Sequence, residues 1–117
     1  MLLSRDQLLA ARAPRVQRVD LPELGEDAHV FLRPLTGKQR GEIERRFAGG
    51  DLEKDPGGFR AELLVRTICD STGALLLTVA DIAALLEQPA TVVEKLFEAS
   101  AELSALRKKD IEGIEKN

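Results

Sequence analysis

Apolar and polar positions follow two rhythms along this 117-residue chain, and the switches between them place its elements. Ser4 stands before Arg5-Asp6-Gln7, so Ser4 and Gln7 are placed as a capping box, with Leu3 and Leu8 positioned as a hydrophobic staple. This short helix is expected to end by Ala13, because Pro14 disfavours helical geometry in the residue before it. Residues 15–21 partly alternate, Val19 and Leu21 on one face and Val16 on the other; residues 28–33 follow with Val30 and Leu32 facing one way. Pro22 and Gly25 lie between as turn residues, so the pattern predicts a β-hairpin.

After Pro34 the period becomes helical. Thr36 and Gln39 form a second box, opening a helix to about Ala48 with Ile43 and Phe47 toward the core, and Gly49 and Gly50 stop it. Residues 49–58, with glycines at 49, 50, 57 and 58 and an Asp55-Pro56 step, read as a flexible loop. Ala61, Leu64, Val65 and Ile68 then recur at helical spacing, predicting a helix from Phe59 to Cys69. Asp70-Ser71-Thr72-Gly73 makes a turn, and Ala74–Leu77 is too short to assign between a small strand and a linker. Thr78 caps another helix, with Asp81 three residues on and Leu77 placed to staple to Ile82. Pro89 opens the longest helix, whose stripe is Val92, Val93, Leu96, Phe97, Leu103 and Leu106, continuing less firmly through Ile111 and Ile114.

These elements predict an α+β fold, predominantly helical: an N-terminal β-hairpin packed with four to five amphipathic helices in a single domain, residues 1–117. Residues 107–117 are expected to be extended or frayed, and whether 90–117 form one helix or two stays open at this level. A chain this long buries roughly two-thirds of its unfolded surface, enough for one modest core. With four Phe and neither Tyr nor Trp, that core must be aliphatic. A net charge of −3 argues against a general nucleic-acid or anionic-membrane binder. The single Cys69 excludes an internal disulfide, no charged-then-apolar signal opens the chain, and the apolar run Ala74–Leu77 is far short of a membrane span. A soluble cytoplasmic protein is expected.

Little in the sequence points to catalysis. His29 is the only histidine and lies opposite Val30 and Leu32 on a hairpin strand, where a solvated histidine is the plain expectation. Cys69 reads as a small buried hydrophobe. One His and one Cys do not make a standard zinc site, and the glycines of 49–58 lack the lysine-serine ending of a phosphate loop. The carboxylate pairs Glu42/Glu44 and Glu98/Glu102 sit among ordinary helix-surface charges. No enzyme activity, metal or cofactor is therefore expected.

Two binding signals remain. Residues 78–97 have the length and rhythm of a helix-turn-helix, but Glu87 and Gln88 replace the turn glycine and the apolar residue that follows it. The would-be recognition helix offers Ala90, Thr91, Glu94, Lys95 and Glu98, one cation against two carboxylates, which suits neither phosphates nor base edges. Two amphipathic helices joined at a proline turn is the preferred reading. The basic residues Arg33, Lys38, Arg40, Arg45 and Arg46 are interleaved with Glu42 and Glu44, which favours a solvated helix face over a nucleic-acid patch.

The order of motifs carries more than any one of them. A short capped helix leads into Q-R-V-D-L-P-E-L-G (17–25) and V-F-L-R-P-L-T-G-K-Q-R (30–40). A leucine-rich stretch then ends in I-C-D-S-T-G (68–73), a proline-opened helix holds V-E-K-L-F (93–97), and L-S-A-L-R-K-K-D-I-E-G-I-E-K-N closes the chain (103–117). Over nearly its whole length this resembles the tail assembly chaperones of long-tailed bacteriophages and prophages. One departure is Arg107, where the family usually carries a helix-capping Thr or Ser.

The resemblance implies a non-enzymatic chaperone that binds the tape-measure protein, and acts alongside the tail tube protein, keeping the tape measure soluble while the tube polymerises. It implies action in the cytoplasm of the bacterial host and absence from the mature virion. A helix-turn-helix DNA-binding regulator using 78–97, or a minor structural head–tail or tail protein, are the alternatives. Leu96, Phe97, Leu103 and Leu106 are the candidate partner-binding residues, with an intramolecular core as the competing role for Leu96 and Phe97. A homo-oligomer is compatible with the sequence. The family is often made also as a longer, frameshifted form, and Glu115-Lys116-Asn117 is compatible with a slippery coding run.

Overall fold

A computed structural model describes residues 1–48 and 56–106. Among them are five α-helices and three strands. In chain order these are α1 (Arg5–Leu9), β1 (Gln17–Asp20), β2 (His29–Leu32), α2 (Gly37–Arg46), α3 (Pro56–Val65), β3 (Ile68–Cys69), α4 (Ile82–Leu86) and α5 (Ala90–Leu103). The expected class holds: the fold is α+β, with a small antiparallel sheet beside a helical majority.

All three capping boxes read from the sequence form. Ser4 and Gln7 open α1, and Thr36 and Gln39 open α2. Thr78 and Asp81 open a single 3-10 turn, Val79–Asp81, that runs straight into α4. Each box closes within four residues, so it depends on little beyond the local chain. The staples expected beside them are looser: Leu3 and Leu8 are both exposed, whereas Leu77 packs partly buried against the core.

The hairpin is present with Val19 opposite Val30 and Gln17 opposite Leu32. Val19, Leu21, Val30 and Leu32 all turn to the core, while Arg18 and Asp20 pair outside at 2.8 Å. Beyond the hairpin lies an element the periodicity concealed. Ile68 and Cys69 do not extend the preceding helix; they form β3 against β2, Cys69 opposite Phe31 and Ile68 opposite Leu32, in the sheet order β1-β2-β3. The helix stops at Val65 because the chain must reverse to reach β2. The Thr67 hydroxyl bonds back to the Leu63 carbonyl at 3.0 Å and the Thr67 carbonyl accepts from Arg33 N at 2.9 Å, which begins the pairing. The start of this helix also moves. Residues 56–58 belong to α3 rather than to a loop, with Pro56 at its opening, where proline costs no hydrogen bond. Residues 49–55 of the expected loop lie outside the described residues.

The unassigned stretch after the turn is extended and bridges back to β3, with Leu75 paired to Cys69 and Leu76 N donating to the Ile68 carbonyl at 3.1 Å. Asp70 holds the reversal: its carboxylate accepts from Thr72 N, Thr72 Oγ1 and Ala74 N at 2.8, 2.6 and 3.1 Å. Gly73 sits at φ +90°, and a Cβ there would meet Pro14 Cγ at 2.4 Å. This position therefore needs glycine on two counts, its backbone angle and the close approach of the N-terminal segment.

The interior has two lobes. One joins the sheet to α3 and α5 through Leu32, Leu64, Ile68, Val92, Val93 and Leu96. The other gathers Ile43, Phe47, Phe59, Leu63, Ala101 and Leu106 between α2, α3 and the end of α5, with Phe47, Phe59 and Phe97 in edge-to-face contact at 5.5 and 5.9 Å. Ile43 and Phe47 face the core as expected, and α5 runs along both lobes.

Candidate partner-binding surface

The stripe proposed from sequence as a contact surface belongs to α5, so its geometry comes first. Pro89 serves as the N-cap, one position before the helix proper, and the stripe runs to Leu103. There the helix ends in a full reversal. Ala105 adopts φ +54°, its N–H donates to the Glu102 carbonyl at 3.0 Å, and Leu106 N donates to the Ala101 carbonyl at 2.8 Å. This is a Schellman motif with alanine in the place glycine usually takes. The helix that begins at Ala90 thus ends at Leu103, and residues 107–117 lie outside the described residues.

The motif also explains where the four candidate residues go. Leu96 is 3% exposed in the sheet lobe, and Leu106, swung back by the reversal, is 8% exposed in the helical lobe. Phe97 and Leu103 are partly buried, Phe97 packed against the helical lobe beneath the Arg60 guanidinium at 5.2 Å, Leu103 against the sheet lobe. The fold therefore does not bring the four together as one surface. Leu96 and Leu106 are spent on packing, and only the edges of Phe97 and Leu103 reach outward.

Polar hooks that spacing alone could not indicate fix α5 in place. Ser100 Oγ donates to Thr67 Oγ1 at 2.8 Å, both side chains fully buried, and Ser104 Oγ accepts from Leu35 N at 3.0 Å. Lys95 Nζ bonds the Asp20 carbonyl at 2.6 Å and lies 3.6 Å from Glu23. The helix that a DNA reader would set into a groove thus buries Val92, Val93 and Leu96 against the sheet. Its outward residues include Glu94, Glu98 and Glu102, and its lysine is held by the hairpin.

Two of the basic residues of α2, Arg40 and Arg46, meet carboxylates. Arg40 pairs with Glu44 at 3.2 Å. Arg66 of the α3 end bonds Glu42 at 3.2 Å and Glu62 at 2.6 Å, and Glu62, itself buried, also meets Arg46 at 3.3 Å. This two-plus, two-minus chain clamps α2 to α3 and accounts for Glu42 without chemistry. Arg33 reaches across to the Gly73 carbonyl at 2.8 Å. His29 is exposed, its Nδ1 2.8 Å from the Asp27 carbonyl. Cys69 is buried, and burial pushes its thiol pKa up, as for an unreactive packing residue. Hydrogen bonds from Arg18 and from Thr72 hold the carboxyls of the exposed Asp20 and the half-buried Asp70 below the ordinary value of 3.8. Among the described residues no group of three His, Cys, Asp or Glu side chains is placed to hold a metal ion. No helix among them is long and apolar enough to cross a membrane.

The exposed apolar surface lies elsewhere. Leu2, Leu3, Leu8 and Leu9 of the N-terminal arm are all exposed, and α1 buries nothing. Leu75, Leu76, Val79 and Leu86, between β3 and α5, are also exposed, as is Leu24 of the hairpin turn. The sequence pattern placed Leu3 and Leu8 as a staple and left Ala74–Leu77 unassigned, so neither group was expected as a surface. The signal was present in the adjacent leucines at 2–3, 8–9 and 75–77, since adjacent apolar residues cannot all face one core.

No family model matches the chain, and no curated protein matches it by sequence. Among solved structures, that of the bacteriophage HK97 tail assembly chaperone superposes with a TM-score of 0.60, covering 77% of this chain and 85% of that one at 18% identity. The chain has a tail-assembly-chaperone-like fold. The coverage is broad on both sides, so the likeness extends to the order of elements and not to a shared helix pair alone.

Proposed function

We propose that this chain is a non-enzymatic phage tail assembly chaperone, binding a tape-measure protein in the host cytoplasm and keeping it soluble while tail tube subunits polymerise. The observation that carries this reading is the fold likeness to the HK97 tail assembly chaperone over 77% of the chain. The surface is in keeping with it. A long helical client exposes apolar stripes, and this molecule offers exposed leucines at both its N-terminal arm and its 75–86 segment. Within the α5 stripe, Phe97 and Leu103 are the positions a client reaches without opening the core. The helix-turn-helix alternative has less to stand on, since α5 turns its apolar face inward and acidic side chains outward.

The test is co-expression with the tape-measure protein encoded nearby. With this chain present, the tape measure is expected in the soluble fraction and to co-purify. A tape measure equally insoluble with and without the chain would sink the reading. Leu103→Ala is then expected to weaken capture while leaving the fold intact, and unchanged capture would remove Leu103 from the contact. In the same reading the chain is absent from purified virions and has a longer frameshifted form, which the bases coding Glu115-Lys116-Asn117 and the minus-one frame beyond them would test.

A further inference from the structure

The sheet order β1-β2-β3 leaves two outer edges, and the fold treats them differently. The edge of β3 is covered by its own chain: Leu75 pairs with Cys69, and Leu76 N donates to the Ile68 carbonyl at 3.1 Å. The edge of β1 is open among the described residues. Leu21 N donates to the Ala28 carbonyl at 2.8 Å, which sets the phase of the hairpin. Leu21, Val19 and Gln17 turn their backbone groups to β2, so Arg18 and Asp20 turn theirs away. The bond from Arg33 N to the Thr67 carbonyl gives the same phase from the other side of β2. Among the described residues the Arg18 N–H and C=O and the Asp20 N–H meet no partner. The Asp20 carbonyl accepts from Lys95 Nζ at 2.6 Å, reached from α5 on the core face, and keeps its second lone pair.

An open edge is a template for another strand, and the charges on this one select its partner. Arg18 and Asp20 flank Val19 and stand on the solvent face, while Val19 turns to the core. Two β1 strands set antiparallel about a two-fold axis through Val19 bring Arg18 opposite the partner's Asp20, and Asp20 opposite the partner's Arg18. In that register the outward N–H and C=O groups of both residues meet as hydrogen-bonded pairs. Registers centred on Arg18 or on Asp20 would set like charges face to face. The ion pair within the strand leaves the groups this needs: Arg18 spends Nε on Asp20 Oδ1 at 2.8 Å, and its terminal nitrogens and Asp20 Oδ2 remain for the second copy.

We infer that β1 is a self-pairing edge, through which two copies of this chain join in a closed two-fold dimer. Its sheet would run β3-β2-β1 and on through the partner's β1, β2 and β3 without a break. The dimer closes because the edges left at either end are those the 75–76 segment already covers. The inference stands apart from the tape-measure reading, because its test involves this chain alone.

The experiment is sedimentation velocity of the full chain over a wide concentration range. Wild type is expected to pass from monomer to dimer. Arg18→Asp sets carboxylate against carboxylate at both ends of the pairing, and Asp20→Arg sets guanidinium against guanidinium. Each should weaken association at least about tenfold. Both changes in one chain restore opposite charges in the same register with the net charge unchanged, and should return association to within about threefold of wild type. Arg18→Pro removes an outward N–H that β2 does not use, so it should abolish pairing while the hairpin persists. Both positions are exposed, so the charge variants should keep wild-type circular dichroism and Tm in dilute solution. A wild type monomeric throughout, a double variant no better than the single ones, an Arg18→Pro chain that still dimerises, or growth beyond a dimer would each overturn the inference.

Discussion

In α5 every leucine of the stripe is at least partly covered, and in α1 none is. Leu96 touches the sheet lobe at 3% exposure, while Leu8 stands at 62% on a helix with the better-capped start. α1 has five residues and a complete capping box; α5 has fourteen and no side-chain cap at all. The difference lies in what each helix meets. α5 is hooked by Ser100 to Thr67, by Lys95 to the hairpin and by Ser104 to Leu35. α1 is joined to the body through Pro14 on Gly73. Capping decides where a helix begins. Its long-range partners decide whether its apolar face becomes core or surface.

The most disruptive way to test the covered side is Leu96→Ala, which leaves a cavity between sheet and helices and should cost about 2–5 kcal/mol in chemical denaturation. A loss below 1 kcal/mol would mean that α5 is not clamped as described. Next is Thr67→Val, which keeps the shape but takes the acceptor from the buried Ser100 hydroxyl. A loss of about 1–3 kcal/mol is expected, and Ser100→Ala made in the same background should recover part of it, since no donor is then left unpaired.

Those two residues also mark where the sequence was legible. The three capping boxes, the hairpin and the inward faces of Ile43, Phe47, Val92 and Leu96 were readable because each depends on spacing within one or two turns. β3 was not. Ile68 continues the helical period of Ala61, Leu64 and Val65, and only the long-range pairing to Leu32 makes it a strand. Leu106 was assigned to the α5 stripe by the same arithmetic, yet it reaches the core through a chain reversal after the helix has ended. The candidate surface suffered most, because periodicity reports which residues share a face and is silent on what covers it.

The end of α5 can be sharpened by Ala105→Gly. Alanine at φ +54° bears a steric cost that glycine lacks, so the variant should gain about 0.5–1 kcal/mol by differential scanning calorimetry. A loss of stability would show that Leu106 is not held by this reversal. The anchor of the arm is sensitive to acid. Asp70 has its folded pKa lowered by the bonds from Thr72 and Ala74, so its contribution is present above the ordinary value of 3.8 and is lost as pH falls through the lower folded value. Asp70→Asn should therefore flatten the part of the stability–pH curve that lies below 3.8 and leave its slope at neutral pH unchanged. A curve superimposable on wild type in acid would remove Asp70 from the account.

The smallest effect is expected where the leucines are bare. Leu9→Gln removes a large apolar side chain, and by composition alone it should rival Leu96→Ala. Because Leu9 makes no buried contact in the monomer, its cost at low protein concentration should stay within about 0.5 kcal/mol. If instead the variant is already 2 kcal/mol less stable in dilute solution, α1 is packed against its own body and the contrast with α5 disappears.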